Sequence, residues 1–159
     1  MSNSLYMKNK NIRKNSPVPL KECGVFSAAD LVGDKWTLLI LREAFYGIVR
    51  FDDIRVDLNI PRSVLTNRLK KLVANNIMYR EPYREDNSRT RYLYMLTPQG
   101  ASLAPVIIAL MQWGDHYIKK GNSPLTLLHK ESGEQLKVAI VRENAEDVSL
   151  TDISININE

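Results

Sequence analysis

One cysteine, two histidines and the lack of any long apolar run are the conspicuous shortages of this 159-residue chain, and each removes a class of function. With Cys23 alone, no intrachain disulfide forms and no cysteine-rich zinc site can be assembled, so any cross-link has to join two chains. His116 and His129 stand apart from any cluster of ligands, and lone histidines are far more often surface or core residues than metal ligands. No metal is expected. No apolar stretch approaches the roughly 20 residues a membrane helix needs, and the polar N-terminus lacks the apolar segment of a secretory signal. A cytoplasmic protein with no membrane partner is the expectation. There is also no histidine to pair with Cys23, no catalytic-looking carboxylate pair and no phosphate loop, so neither an enzyme nor a bound cofactor is expected.

What the chain does have is an uneven charge. The total is +4, yet residues 130–159 hold three basic and seven acidic side chains, a local net of −4 that leaves +8 on everything before them. A basic body favours a polyanion as partner, although net charge also serves solubility. The acidic tail disfavours direct contact with nucleic acid.

The stretch that organises the rest is residues 59–76, NIPRSVLTNRLKKLVANN. Leu65, Leu69, Leu72 and Val73 recur at helical spacing, while Ser63, Thr66, Asn67, Lys70 and Lys71 fall around the opposite face. Pro61 suits the first turn of a helix, and Asn75 and Asn76 suit the left-handed residue that ends one. Just upstream, FDDIRVDL at residues 51–58 reads as a shorter amphipathic helix with Phe51, Ile54 and Leu58 inward. Two helices joined by Asn59 and Ile60 alone must cross steeply, as in a helix-turn-helix that lays its second helix in a DNA major groove. Its polar face then carries the chemistry of duplex recognition: Arg and Lys for phosphates or guanine edges, Asn for an adenine edge, Ser and Thr as donors or acceptors. The plainer reading of the same pattern is a solvated face on a core helix.

Around this motif the elements follow in order. Residues 1–20, with Lys8, Lys10, Arg13, Lys14, Pro17 and Pro19, show no sustained period and read as a flexible basic arm. A short helix over about 22–32 stops at Gly33; Asp34 is placed to cap the next, KWTLLILREAFY, which is apolar on nearly every side and centres the core through Trp36, Leu39, Ile40 and Leu41. After the helix-turn-helix the period switches to two. IMYREPY at 77–83 and TRYLYML at 90–96 predict a hairpin wing whose Arg84, Arg89 and Arg91 lie against DNA, with Asn87 and Ser88 at the tip and Glu85 and Asp86 opposing. Thr97 and Pro98 then open a helix to about Lys120, kinked at Pro105. Its stripe of Leu103, Ile107, Leu110, Gly114 and Tyr117, widened by Val106, Met111, Trp113 and Ile118, exceeds what one small domain buries. A second copy of the same helix is the simplest partner, and a helix lying on its own core is the alternative. The tail after about Leu125 reads as three short strands, LTLLH, LKVAIVR and SLTDISI, with Gly133 and Asn144 near the turns. The fold class is therefore mainly α with a β-hairpin wing, an α+β winged helix-turn-helix: an arm at 1–20, a DNA-binding and dimerisation domain at 21–121, and a small β-rich acidic extension at 122–159.

Taken together, CGVFSAADLVGDKWTLLILREAF, RFDDI, LTNRLKKLVANNI, RYLYMLTPQG and LMQWGD resemble, in order and spacing, the HxlR-type transcriptional regulators, a winged helix-turn-helix family of bacteria and archaea. The resemblance covers roughly residues 22–120. It implies a homodimer, built through the first and last helices, on an imperfect DNA palindrome. It places the recognition helix on residues 62–71, the wing exit on Tyr94, Leu96 and Thr97, and the family's N-terminal cysteine on Cys23. Asn59 and Asn76 stand where the family usually has glycine, Pro61 where it often has a capping serine, and Arg89 where a wing proline is common. Some relatives carry a cysteine-bearing knuckle after the position of Leu127; this chain has no cysteine there, so no metal is carried over.

The expected base contacts are Arg62, Ser63 and Asn67, with Thr66 and Lys70 at the edge; Lys71, Arg84, Arg89 and Arg91 are expected on phosphates, and Arg68 as a structural residue. Cys23, flanked by Lys21 and Glu22, is the candidate for sensing oxidants or electrophiles, as a cysteine at this place does in part of the family. The competing readings are a regulator of the same fold that answers to an unidentified small-molecule effector, and a protein-interaction module that has lost DNA.

Overall fold

The computed structural model describes residues 15, 16, 18–85, 89–141 and 153–157, with side chains up to residue 141. The basic arm up to Lys14, the wing-tip residues Asp86, Asn87 and Ser88, and the turn at Asn144 lie outside them. Residues 1–34 and 35–159 form two units. In the first, a 3-10 turn at Leu20–Glu22 leads into helix α1, Gly24–Val32. Gly33 ends it by donating its N–H to the Ala29 carbonyl (2.8 Å).

The second unit is built on α2, Lys35–Phe45, whose Ile40 and Leu41 are fully buried. Helix α2 meets the second helix of the helix-turn-helix, the second strand of the wing and the helix over Ala104–Trp113. Its buried side is not purely apolar: Thr37 and Glu43 are as buried as Ile40 and Leu41, whereas Trp36 and Leu39 are only half-buried. The Glu43 carboxylate accepts from the neighbouring Arg42 Nε at 2.9 Å, which offsets the cost of burying an acid.

Helices α3, Phe51–Asp57, and α4, Arg62–Ala74, form the helix-turn-helix. Ile54, Leu65, Leu69 and Leu72 are buried, as their spacing predicts, and so is Ile60 in the turn between the helices. Asn59 (φ 47°) and Asn76 (φ 57°) adopt the left-handed conformation at the two exits. That is the backbone glycine would supply, and asparagine tolerates it. Pro61 sits one residue earlier than expected, at the N-cap of α4 rather than inside the first turn. Its ring holds φ at −59° but offers no oxygen to the free N–H groups that follow.

The wing is an antiparallel pair, β1 (Met78–Tyr83) and β2 (Arg91–Leu96), in register from Met78 opposite Leu96 to Tyr83 opposite Arg91. A third segment joins its edge: Tyr94 donates its N–H to the Val49 carbonyl (2.8 Å), and Arg50 bridges Leu93. At the wing's exit the Thr97 hydroxyl accepts from Gly100 N–H (3.0 Å), capping helix α5 (Pro98–Ala101), and donates to the Asn76 carbonyl (2.6 Å). One side chain thus ties the end of the recognition helix to the end of the wing.

A single helix to Lys120 does not form. Helix α5 stops at Ala101, and α6 starts afresh at Ala104 with Pro105 in its first turn. Proline is tolerated there because the N–H it lacks has no helical partner, so the chain breaks before it instead of kinking at it. Helix α6 runs to Trp113 and widens into a π-helical turn over Gly114–Ile118.

Beyond it, β3 (Leu125–His129) pairs antiparallel with β4 (Ile153–Ile157). The middle segment expected as a strand is not one. Residues 136–141 have no regular structure; Leu136 donates its N–H to Leu127 (2.8 Å), after which the Gln112 side chain takes over, donating to the Leu136 carbonyl (3.1 Å) and accepting from Val138 N–H (2.9 Å). An amide from α6 occupies the backbone groups a ladder would have used. Among the described residues, no helix is long and apolar enough to cross a membrane.

Candidate nucleic-acid interface

Along α4 the buried leucines leave the opposite face outward, and Arg62, Ser63, Asn67 and Lys70 are exposed. These four carry the hydrogen-bonding groups that base edges and phosphates need. Thr66 and Lys71 are half-buried at the flanks. The Thr66 hydroxyl donates back to the Arg62 carbonyl (2.8 Å), so only its lone pairs remain for a ligand. Arg68 is half-buried with its Nε shielded from solvent, in keeping with a residue that orients the helix.

On the wing, Arg84, Arg89 and Arg91 are exposed. Arg84 Nε donates to Thr90 Oγ1 (2.8 Å), bracing the two strands near the tip. The carboxylate of Glu85, which opposes phosphate on its own, lies 3.0 Å from Arg50 and 3.7 Å from Arg91. Among the described residues, two guanidinium groups thus meet this one carboxylate. Both pairs are about half exposed, so they add little to stability and can exchange partners readily.

Arg50 had no signal in the sequence as a site residue: one arginine ahead of a short helix is unremarkable, and its partner is 35 positions away. Its guanidinium also covers the Tyr83 ring at 5.0 Å. The Arg62 guanidinium lies over Phe51, 5.3 Å from the ring centroid, and Phe51 meets Tyr94 at 6.5 Å in a tilted pair. These contacts fasten the start of the recognition helix to the first helix of the motif and to the wing. Between them opens a cleft of about 320 Å³, walled by Phe51, Tyr83, Tyr92 and Tyr94. Burial pushes the Tyr94 phenol above its ordinary value, with Arg80 pulling the other way, so its hydroxyl stays protonated at neutral pH.

Cys23 belongs to the first unit, at the N-cap of α1, and is half-buried. Among the described residues, no group of three or more His, Cys, Asp or Glu side chains could hold a metal ion. An apolar line along α6 and the π-helical turn after it is exposed: Val106, Leu110, Trp113 and Tyr117 are 47, 49, 56 and 66% exposed.

Comparison with known proteins agrees with this geometry. The HxlR-like helix-turn-helix family matches residues 31–122, more than half of the chain. An HTH-type transcriptional regulator of Mycobacterium tuberculosis is 45% identical over 108 residues, which are 67% of each protein. YdeP of Bacillus subtilis, also named an HTH-type transcriptional regulator, is 31% identical over 60% of this chain and 73% of its own. Among solved structures, PA1607 superposes with a TM-score of 0.66 at 32% identity, covering 77% of this chain and 84% of its own. The redox regulator HypR in its reduced form superposes at 0.54 with 26% identity over 62% of this chain and 99% of its own. The chain belongs to the HxlR-like helix-turn-helix family and is a transcriptional regulator.

Proposed function

We propose that the chain acts as a homodimer on a palindromic operator, reading bases with Arg62, Ser63 and Asn67, assisted by Thr66 and Lys70, and holding phosphates with Lys71, Arg84, Arg89 and Arg91. The observation that carries this reading is the outward polar face of α4 beside a wing whose one described tip carboxylate is matched by two arginines. The bare line on α6 supplies the subunit contact, since apolar side chains so exposed at helical spacing gain most by burial against a copy of themselves. Two recognition helices about 34 Å apart then occupy successive major grooves. The domain limits, 21–121 for binding and pairing with the arm and acidic extension outside them, belong to the same proposal.

A mobility shift on the DNA flanking the chain's own gene tests it. Asn67→Ala should cost roughly 1–3 kcal/mol on the operator and nothing on random duplex, because a base-edge contact is lost. Arg91→Ala should weaken both duplexes alike and lower the salt slope by about 1, because one phosphate contact is lost. Equal losses on operator and random DNA for Asn67→Ala would remove that residue from base reading.

The signal sensed is a finer matter, and Cys23 is its candidate. A half-buried cysteine at a helix N-cap in a chain similar to the redox regulator HypR supports control by thiol oxidation. Diamide should then lower operator affinity at least tenfold and yield a dimer resistant to non-reducing gel electrophoresis, with neither effect in Cys23→Ser. An unchanged shift after diamide, with the thiol still titratable, eliminates the redox reading.

A further inference from the structure

The cleft between α3, the first turn of α4 and the wing has a chemistry that a DNA backbone does not exhaust. Four aromatic rings wall it, and among its described lining residues Arg62, Arg89 and Arg91 face one carboxylate, Asp52. At about 320 Å³ it falls at the lower end of the range of small-ligand pockets, which run from about 300 to 1,000 Å³. Aromatic walls favour a flat apolar body, and an excess of guanidinium groups favours a carboxylate that can accept two parallel N–H bonds. A phosphodiester satisfies only the second preference.

We propose that this cleft binds a small planar aromatic carboxylate, and that such an anion and duplex DNA exclude each other because both need Arg62 and Arg91. The first half stands on the cleft alone; the second rests on the DNA reading above. The anion enters at little cost. Arg91 holds Glu85 only loosely, at 3.7 Å and half exposed, so a ligand carboxylate can replace that partner. The Arg62 guanidinium already lies over Phe51 at the edge of the cleft, and its planar fork suits a planar anion better than the point contact a lysine would make. Tyr92, 40% exposed with Arg80 4.9 Å from its ring centroid, forms the outer wall.

Isothermal titration of the full chain with 2-naphthoate, in the absence of DNA, reads the site directly. The acid should bind with a dissociation constant below a millimolar, and the neutral 2-naphthamide, of the same shape, at least tenfold more weakly. Tyr92→Ala should weaken the acid at least tenfold, and so should Thr90→Trp, which fills the cleft from the wing side and serves if the first variant misfolds. Saturating naphthoate should in turn weaken operator binding at least tenfold. Absence of binding, equal binding of acid and amide, or binding unchanged in both variants overturns the site. Operator affinity that ignores bound naphthoate overturns the exclusion. A chain that binds naphthoate but shifts no duplex sinks the DNA reading and leaves the anion site standing; one that shifts duplex and takes up no naphthoate does the reverse.

Discussion

Gly100→Ala is expected to destabilise the second unit by about 3 kcal/mol, near the top of the usual range for forcing an extra carbon into packed structure. A Cβ at this position would run into the Ile77 carbonyl, with the Leu96 side chain also only 3.1 Å away. The obstacle is backbone, so no rotamer change relieves it. Nor can α5 slide aside cheaply. Thr97 N–H donates to that same Ile77 carbonyl (3.0 Å), and the Thr97 hydroxyl holds Gly100 N–H and the Asn76 carbonyl together. The close approach is what sets the wing's exit against the end of the recognition helix. A fall in Tm of roughly 6–12 °C in a thermal melt follows from a loss of that size in a domain of this length. A melt unchanged within a degree or two would mean that α5 is free to move. Operator binding should suffer beyond the loss of folded protein, because wing and recognition helix would no longer share one frame.

Leu110→Glu should convert the proposed dimer into a folded monomer. Leu110 lies mid-way along the bare line of α6 and is half exposed in the single chain, so a carboxylate there meets water in the monomer and costs little. In a dimer the same change brings two like charges into an apolar seam, where neither finds a partner. Sedimentation should show the monomer. Operator affinity should drop by about 10²–10⁴-fold, the gain that linking two half-site contacts provides, while binding to an isolated half-site changes little. A variant that stays dimeric would place the subunit contact elsewhere.

Much of this fold was legible from short-range pattern. The helix-turn-helix and the wing lie within a residue of where the 3.6- and two-residue periods put them, because each period depends only on neighbours within one or two turns. Asn59 and Asn76 ending helices, and Thr97 capping one beside Pro98, are likewise local chemistry. The outward placement of Arg62, Ser63, Asn67 and Lys70 follows from Leu65, Leu69 and Leu72 being drawn inward. Where the pattern misled, a distant group had intervened. The apolar, β-rich stretch after Gln135 forms no strand, because Gln112 claims its backbone from 24 and 26 positions away.

By itself, then, the order of residues determined which elements form, which faces turn inward, and that the outward face of α4 is polar and cationic. Only the tertiary structure decided what those faces share: Arg50 and Arg91 converging on Glu85, the Ile77 carbonyl seated over Gly100, and an aromatic cleft assembled from α3 and both wing strands. The division has a physical cause. Periodicity and capping are energies of adjacent residues, whereas these three pairings join groups many residues apart and exist only once the chain has brought its segments together.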